Sequence, residues 1–203
     1  MDLTDEMELL EEETWNFRKK GFAMNYAFFY EENYQKIISH QEVALAFLNY
    51  KNRLWALRIW AIKTKDGKFT SREYEKKYQE TREEKIIYTN LRSFDEIKGY
   101  PIQVNPELMN SKKISVEEFF EEKGTYEHAF MDNPQNLYGK KEDFIEINQQ
   151  LFPEKKRLEI YLWNNEFTQY YNGGREGLGA YLWTIYDVEY KKFIVIDASL
   201  IID

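Results

Sequence analysis

The 203-residue chain contains no cysteine, which excludes disulfides, thiolate nucleophiles, cysteine-ligated zinc and iron–sulfur clusters. It has only two histidines, His40 and His128, and neither has a second imidazole at ligand spacing, so a histidine metal site has no support. Long apolar runs are also missing. No stretch approaches the roughly 18 uncharged apolar residues of a membrane span. The opening residues lack the basic start and continuous apolar run of a secretory signal, and the expectation is a cytoplasmic protein that meets no membrane. No internal repeat or low-complexity tract is present. No cofactor is expected.

An excess of basic charge is a further absence. The chain carries 28 Lys and Arg against 36 Asp and Glu, for a formal charge of -8. Seven of those acids, Asp2, Asp5, Glu6, Glu8, Glu11, Glu12 and Glu13, fall in the first fourteen positions, where there is no base. The rest is nearly neutral, with 29 acids against 28 bases. Such a chain is a poor duplex binder, because nucleic-acid affinity depends on neutralising phosphates with Lys and Arg. The acidic block serves either solubility or a basic partner.

What is plentiful is aromatic surface: 16 Tyr, 14 Phe and 5 Trp. Rings fill cores, and Tyr and Trp also serve as contact surface because one edge tolerates water.

Leu3, Met7, Leu10 and Phe17 recur at helical spacing among the acids, which predicts an amphipathic acidic helix at the start. A second helix is predicted from Gln41 to Lys63, on the rhythm Val43, Phe47, Tyr50, Leu54, Leu57 and Ala61, with Asp66-Gly67 ending it. Thr70 with Glu73 and Ser115 with Glu118 read as capping boxes, the first opening a helix toward Asn90 and the second a short one before Gly124. Gly99, Pro101, Asn105-Pro106 and Asn110-Ser111 form a linker-like stretch near 99–111. One domain over 1–203 is the simpler reading, with a subdivision into a helical region over 1–98 and an α+β region over 112–203 as the alternative. A further helix is predicted near Lys141 to Leu151, closed by Pro153.

The last fifty residues change character. Leu158 to Trp163, Ala180 to Tyr186 and Lys192 to Ala198 are aromatic and β-branched runs bounded by Asn, Gly and Asp. Their connections are too short for crossover helices, so they predict an antiparallel meander with 164–179 as an irregular connection. The fold class expected is α+β, a mostly helical N-terminal half packed with a C-terminal antiparallel β-meander.

Candidate sites are few. The glycine-rich run from Asn172 to Gly179 lacks a following helix, so it reads as a flexible turn rather than a phosphate cradle, with Arg175 and Glu176 at its tip. His128 and Asp132 fall four apart, the spacing of a base and its orienting carboxylate, but no nucleophile motif accompanies them. His40 reads as a polar residue at a helix entry. Asp187, Glu189 and Asp197 offer the best enzyme alternative, a metal-dependent phosphoesterase or nuclease, although alternation with Phe193 and Val195 favours a structural Asp197. No catalytic residue and no metal ligand is assigned. The candidate partner-binding residues are Glu8, Glu11 and Glu12 on the acidic helix and Tyr170, Tyr171, Arg175 and Glu176 at the turn.

The segment Trp163-Asn164-Asn165-Glu166-Phe167-Thr168-Gln169-Tyr170-Tyr171, the glycine run, Leu182 to Asp187 and Ile194 to Ser199 together resemble the C-terminal end of small bacterial immunity proteins of toxin systems. The resemblance covers about a fifth of the chain and rests on aromatic strand and turn patterns. It implies a stoichiometric inhibitor that binds a cognate toxin, and it brings no catalytic motif; the acidic block is compatible with a toxin that has a basic surface. A non-catalytic subunit or scaffold is the remaining alternative.

Overall fold

Three aromatic runs near the C-terminus build the centre of the fold, and three unanticipated strands, two of them from the N-terminal half, complete the sheet. The computed structural model describes residues 8–18, 20, 24–63, 102–133 and 140–200, with backbone alone over 56–63. Strands β1 (Glu8–Leu9), β2 (Asn25–Tyr30), β3 (Ser111–Ile114), β4 (Leu158–Trp163), β5 (Gly179–Asp187) and β6 (Lys192–Leu200) form one antiparallel sheet in the order β1-β2-β6-β5-β4-β3. The helices are α1 (Glu11–Arg18), α2 (Ile37–Lys63), α3 (Val116–Phe119), α4 (Thr125–Met131), α5 (Lys141–Leu151) and α6 (Asn172–Glu176). The chain is α+β.

The meander β4-β5-β6 is the one the sequence predicts, in a register that aligns Ile160 with Ile185 and Ile185 with Ile194. Strand β2 then adds to β6, pairing Tyr26 with Ile196 and Phe28 with Ile194. Its sequence, Asn-Tyr-Ala-Phe-Phe-Tyr, is apolar on both faces because both faces of the sheet are covered. For the same reason every residue from Phe193 to Ala198 is buried. At about 1.5–3 kcal/mol for each large apolar side chain removed from water, these central strands supply much of the driving force for folding.

One face carries Phe17 of α1, Phe119 of α3, Tyr126 and Phe130 of α4, and Phe144 and Ile147 of α5, packed on Phe28, Trp183, Ile185 and Ile194. The other face is covered by α2, whose Val43, Ala44, Phe47 and Leu48 meet Phe29, Leu182, Phe193 and Val195. This is a three-layer arrangement with the sheet in the middle. The 27 residues of α2 make a rod of about 40 Å, long enough to cross several strands.

The N-terminal acids do not form one helix. Glu8 and Leu9 pair with Tyr30 and Phe29 as a short edge strand, and the helix begins only at Glu11. Leu3 and Met7 lie outside the described residues. Helix α2 begins earlier than expected, at Ile37, and Asp66-Gly67, Thr70 and the helix toward Asn90 also lie outside the description. The Ser115 cap is present, its Oγ accepting from the Glu118 amide at 3.0 Å, while the Glu118 carboxylate turns instead to Lys112 at 2.7 Å. Of the linker-like stretch, Ile102 is buried against α2, where Asn52 accepts from its amide at 2.6 Å and donates to its carbonyl at 2.9 Å. Lys112 and Lys113 on the outer strand β3 discourage pairing with another chain. Among the described residues no helix is long and apolar enough to cross a membrane.

Candidate functional site

Strand β1 and helix α1 lie beside α5 and leave an open groove of about 740 Å³ between them. Its floor is apolar, from Leu10, Phe17, Phe28 and Leu151, and Glu8, Glu11, Glu12 and Glu13 stand around it. Glu13 accepts from Lys192 at 2.8 Å, and Glu11 lies 3.9 Å from Arg53. Glu8 and Glu12, both exposed, form no ion pair with any described residue, and Lys20 on the same lining bonds Gln150, so the groove sets four acids against the two bases Lys20 and Lys192. Trp15 is 46% exposed on the same helix. Glu8, Glu11 and Glu12 are the acids expected from the sequence to meet a partner; Glu13 joins them here, and Phe28 and Leu151, from elements distant in sequence, join Leu10 and Phe17 in the floor.

The second predicted set does not join this groove. Tyr170 and Tyr171 pack on the α2 face of the sheet, whereas Phe17 and Leu151 belong to the opposite face. Tyr171 is 0% exposed, which corrects its assignment to a contact surface: its ring is core, in T-shaped contact with Phe167. The glycine run is not a mobile tip either. Residues 172–176 form the short helix α6, and Gly174 is buried where an added Cβ would lie 2.6 Å from the Gly179 carbonyl and 2.7 Å from Ser199 Oγ. Arg175 and Glu176 are exposed, but the Arg175 guanidinium is tied to the Asn165 carbonyl and to Asn172 Oδ1.

Beneath α2 lie two polar clusters. In the first, Asp197 is 0% exposed, and its Oδ2 accepts from Lys51 Nζ at 2.7 Å, Asn25 Nδ2 at 3.0 Å and the Tyr170 hydroxyl at 3.2 Å. The Lys51 ammonium also donates to the Tyr170 oxygen. The pairing of Asp197 with Phe193 and Val195 on one face, expected from alternation, holds and points the carboxylate at α2. The three carboxylates of the enzyme alternative do not converge. Asp187 sits opposite Lys192 and Asp197 opposite Leu182, so they stand about 17 Å apart along the strands. Asp187 Oδ1 accepts from the Glu189 and Tyr190 amides as a turn bond, and Glu189 pairs with Arg157. Among the described residues no group of three or more His, Asp or Glu is arranged to hold a metal.

The second cluster surrounds His40. The residue lies in the first turn of α2, as a helix-entry residue should, but it is 0% exposed. Its Nδ1 is 2.7 Å from Thr184 Oγ1 and its Nε2 is 3.0 Å from the Tyr34 hydroxyl. Tyr34 donates to Glu159 Oε2 at 3.0 Å, and Trp163 Nε1 donates to Thr184 Oγ1 at 2.9 Å. The Tyr34 proton is therefore committed to the carboxylate, so its oxygen accepts from His40 Nε2–H, and Nδ1 accepts from Thr184. The result is a one-way chain of donors, Trp163 to Thr184 to His40 to Tyr34 to Glu159. Burial, reinforced by the Lys113 charge, pushes the His40 imidazole down to about 3. Burial raises the Glu159 carboxyl, but the bonds from Lys113 and Tyr34 outweigh that and hold it below the usual range.

His128 Nδ1 and Asp132 Oδ2 are 2.6 Å apart across one turn at the end of α4, with both side chains well exposed. The spacing of the sequence is realised, in a position that shelters no reacting group. No protein-family model matches the chain, and neither a curated protein nor a solved structure matches it.

Proposed function

We propose that the chain is a cytoplasmic protein-binding module of the immunity or antitoxin kind, which neutralises a partner with a basic surface by docking it in the acidic groove. The observation that carries this reading is the gathering of Glu8, Glu11, Glu12 and Glu13 around an apolar floor, with Glu8 and Glu12 in no ion pair with a described residue and the lining acids outnumbering its lysines. A charged rim accelerates encounter with an oppositely charged partner, and an apolar centre supplies the affinity. The enzyme alternative draws no comparable support from Asp187, Glu189 and Asp197, which stand apart and are engaged in a turn, a surface ion pair and a buried ion pair.

Coexpression with the reading frames beside its gene tests the proposal. If one of them is a toxin, cells producing it should survive only when this chain is also made, and a Glu8→Gln, Glu11→Gln, Glu12→Gln variant made to the same level should protect less. Equal protection by the variant would move the site elsewhere, and no protection would set the immunity reading aside.

A further inference from the structure

The N-terminal turn of α2 is tied locally by Ser39 Oγ, which accepts from the Gln35 amide at 2.9 Å, but that bond does not reach the sheet. Ile37 and Ile38 are among the exposed large apolar residues, the first turn carries no acid to complement the helix dipole, and Lys36 just before it adopts a φ of 54°. What fixes this turn to the sheet is His40. Its ring stands edge-on to Phe193 at 4.9 Å and lies 4.3 Å from Tyr161, and its two nitrogens link Thr184 of β5 to Tyr34 of the segment entering the helix. Tyr34 in turn stacks on Tyr186 at 3.9 Å. The turn and the segment before it thus share one attachment.

That attachment works only with a neutral ring. A proton added at Nδ1 would face Thr184 Oγ1, whose own hydrogen now points at Nδ1 and whose oxygen already accepts from Trp163; the Thr184 backbone favours that proton, but burial and the Lys113 charge outweigh it. The hydroxyl would have to turn away from the ring, and a charge would be left in a site with no exposure. The ionisable groups facing the ring are Tyr34 on the entering segment, Lys113 on β3, Glu159 and Tyr161 on β4, and Tyr186 on β5, with Lys36 acting through Glu159; β6 presents Phe193, which has no charge. Glu159 would welcome a cation, but it is already paired with Lys113 at 2.9 Å and reaches His40 only through Tyr34.

We infer that His40 is a proton-sensitive latch, whose neutral ring fastens the first turn of α2 and the Tyr34–Lys36 segment to the sheet and whose protonation releases them. In the released turn the imidazole meets water and regains its ordinary affinity for protons, so acid draws the equilibrium toward the open form. Between about pH 7.5 and about pH 5 the opening should become about 30-fold more frequent, given an ordinary histidine value near 6.5 in the open form.

Amide hydrogen exchange by NMR, corrected for intrinsic rates, tests this at both pH values on the full chain. In the wild type the first turns of α2 should lose about 30-fold in protection at the lower pH, and should exchange by a local opening that is insensitive to low urea and far less costly than the global unfolding that exposes central β5 and β6 amides. His40→Gln, which can donate and accept without charging, should abolish that loss, and His128→Gln should leave it intact. An equal loss in wild type and His40→Gln, or first-turn amides that exchange only by the same global unfolding as central β5 and β6, would overturn the latch. Should His40→Gln fail to fold, the ring nitrogen shifts of the wild type decide: a neutral, Nε2-protonated ring down to about pH 5 supports the latch, and a charged or Nδ1-protonated ring overturns it.

Discussion

Lys51 Nζ lies 2.7 Å from Asp197 Oδ2, inside the layer between α2 and the sheet, with the two side chains only 8% and 0% exposed. Removing one member of a buried pair leaves the other charge without compensation, whereas removing both can be nearly neutral. Lys51→Met alone and Asp197→Leu alone should each destabilise by about 3–5 kcal/mol, and the double variant by much less than the sum. Urea denaturation of the four proteins measures the cycle; strictly additive losses would contradict the pairing.

Asn52 holds the 102 segment to α2 by two bonds to one residue, accepting from the Ile102 amide and donating to its carbonyl. Asn52→Ala should cost about 2–4 kcal/mol, since two buried backbone groups lose their partners together. A loss of only a few tenths of a kcal/mol in urea denaturation would show that the segment docks by its apolar contacts alone.

The depressed His40 value makes a pH prediction whose sign is fixed. Its folded value of about 3 lies below the ordinary 6.5, so its contribution is complete above about pH 6.5 and is lost as the pH falls toward about 3. Stability should fall by roughly 1.4 kcal/mol per pH unit between about pH 6 and about pH 5, before the carboxylates titrate. His40→Gln should flatten that slope, as denaturant melts across this range will read.

Gly174 is packed too closely for a side chain. A Cβ there would press on the Gly179 carbonyl at 2.6 Å, which is backbone and cannot turn aside. Gly174→Ala should therefore destabilise by about 1–3 kcal/mol, through overpacking rather than through loss of a flexible turn. A neutral or stabilising effect in thermal melts would restore the mobile-loop reading.

Local signals carried the meander, the body of α2 and the Ser115 cap, because each depends on a few neighbouring residues. The partner strand of β6 was hidden for the opposite reason: Asn25 pairs with Asp197 across most of the chain, and no local rhythm marks such a match. The His40 chain draws on Tyr34, Glu159, Trp163 and Thr184, which only the fold brings together. Tyr170 and Tyr171 show a finer limit. The two are adjacent and chemically identical and lie in the same layer, yet one is partly exposed and the other is core, since a single step along a 3-10 turn decides how deep each ring sits. The acids were legible as a binding candidate, but not their division between an edge strand and a helix around a shared groove.

The association rate between this protein and the partner it retains, followed against salt, tests the groove most directly. The Glu8→Gln, Glu11→Gln, Glu12→Gln variant should associate several-fold more slowly at low salt and lose most of its salt dependence, while dissociation changes little, because rim charges act by steering that is screened within about 8 Å at physiological salt. Circular dichroism should report an intact fold. Association rates that coincide with those of the wild type at every salt concentration would contradict the account and place the binding surface away from the groove.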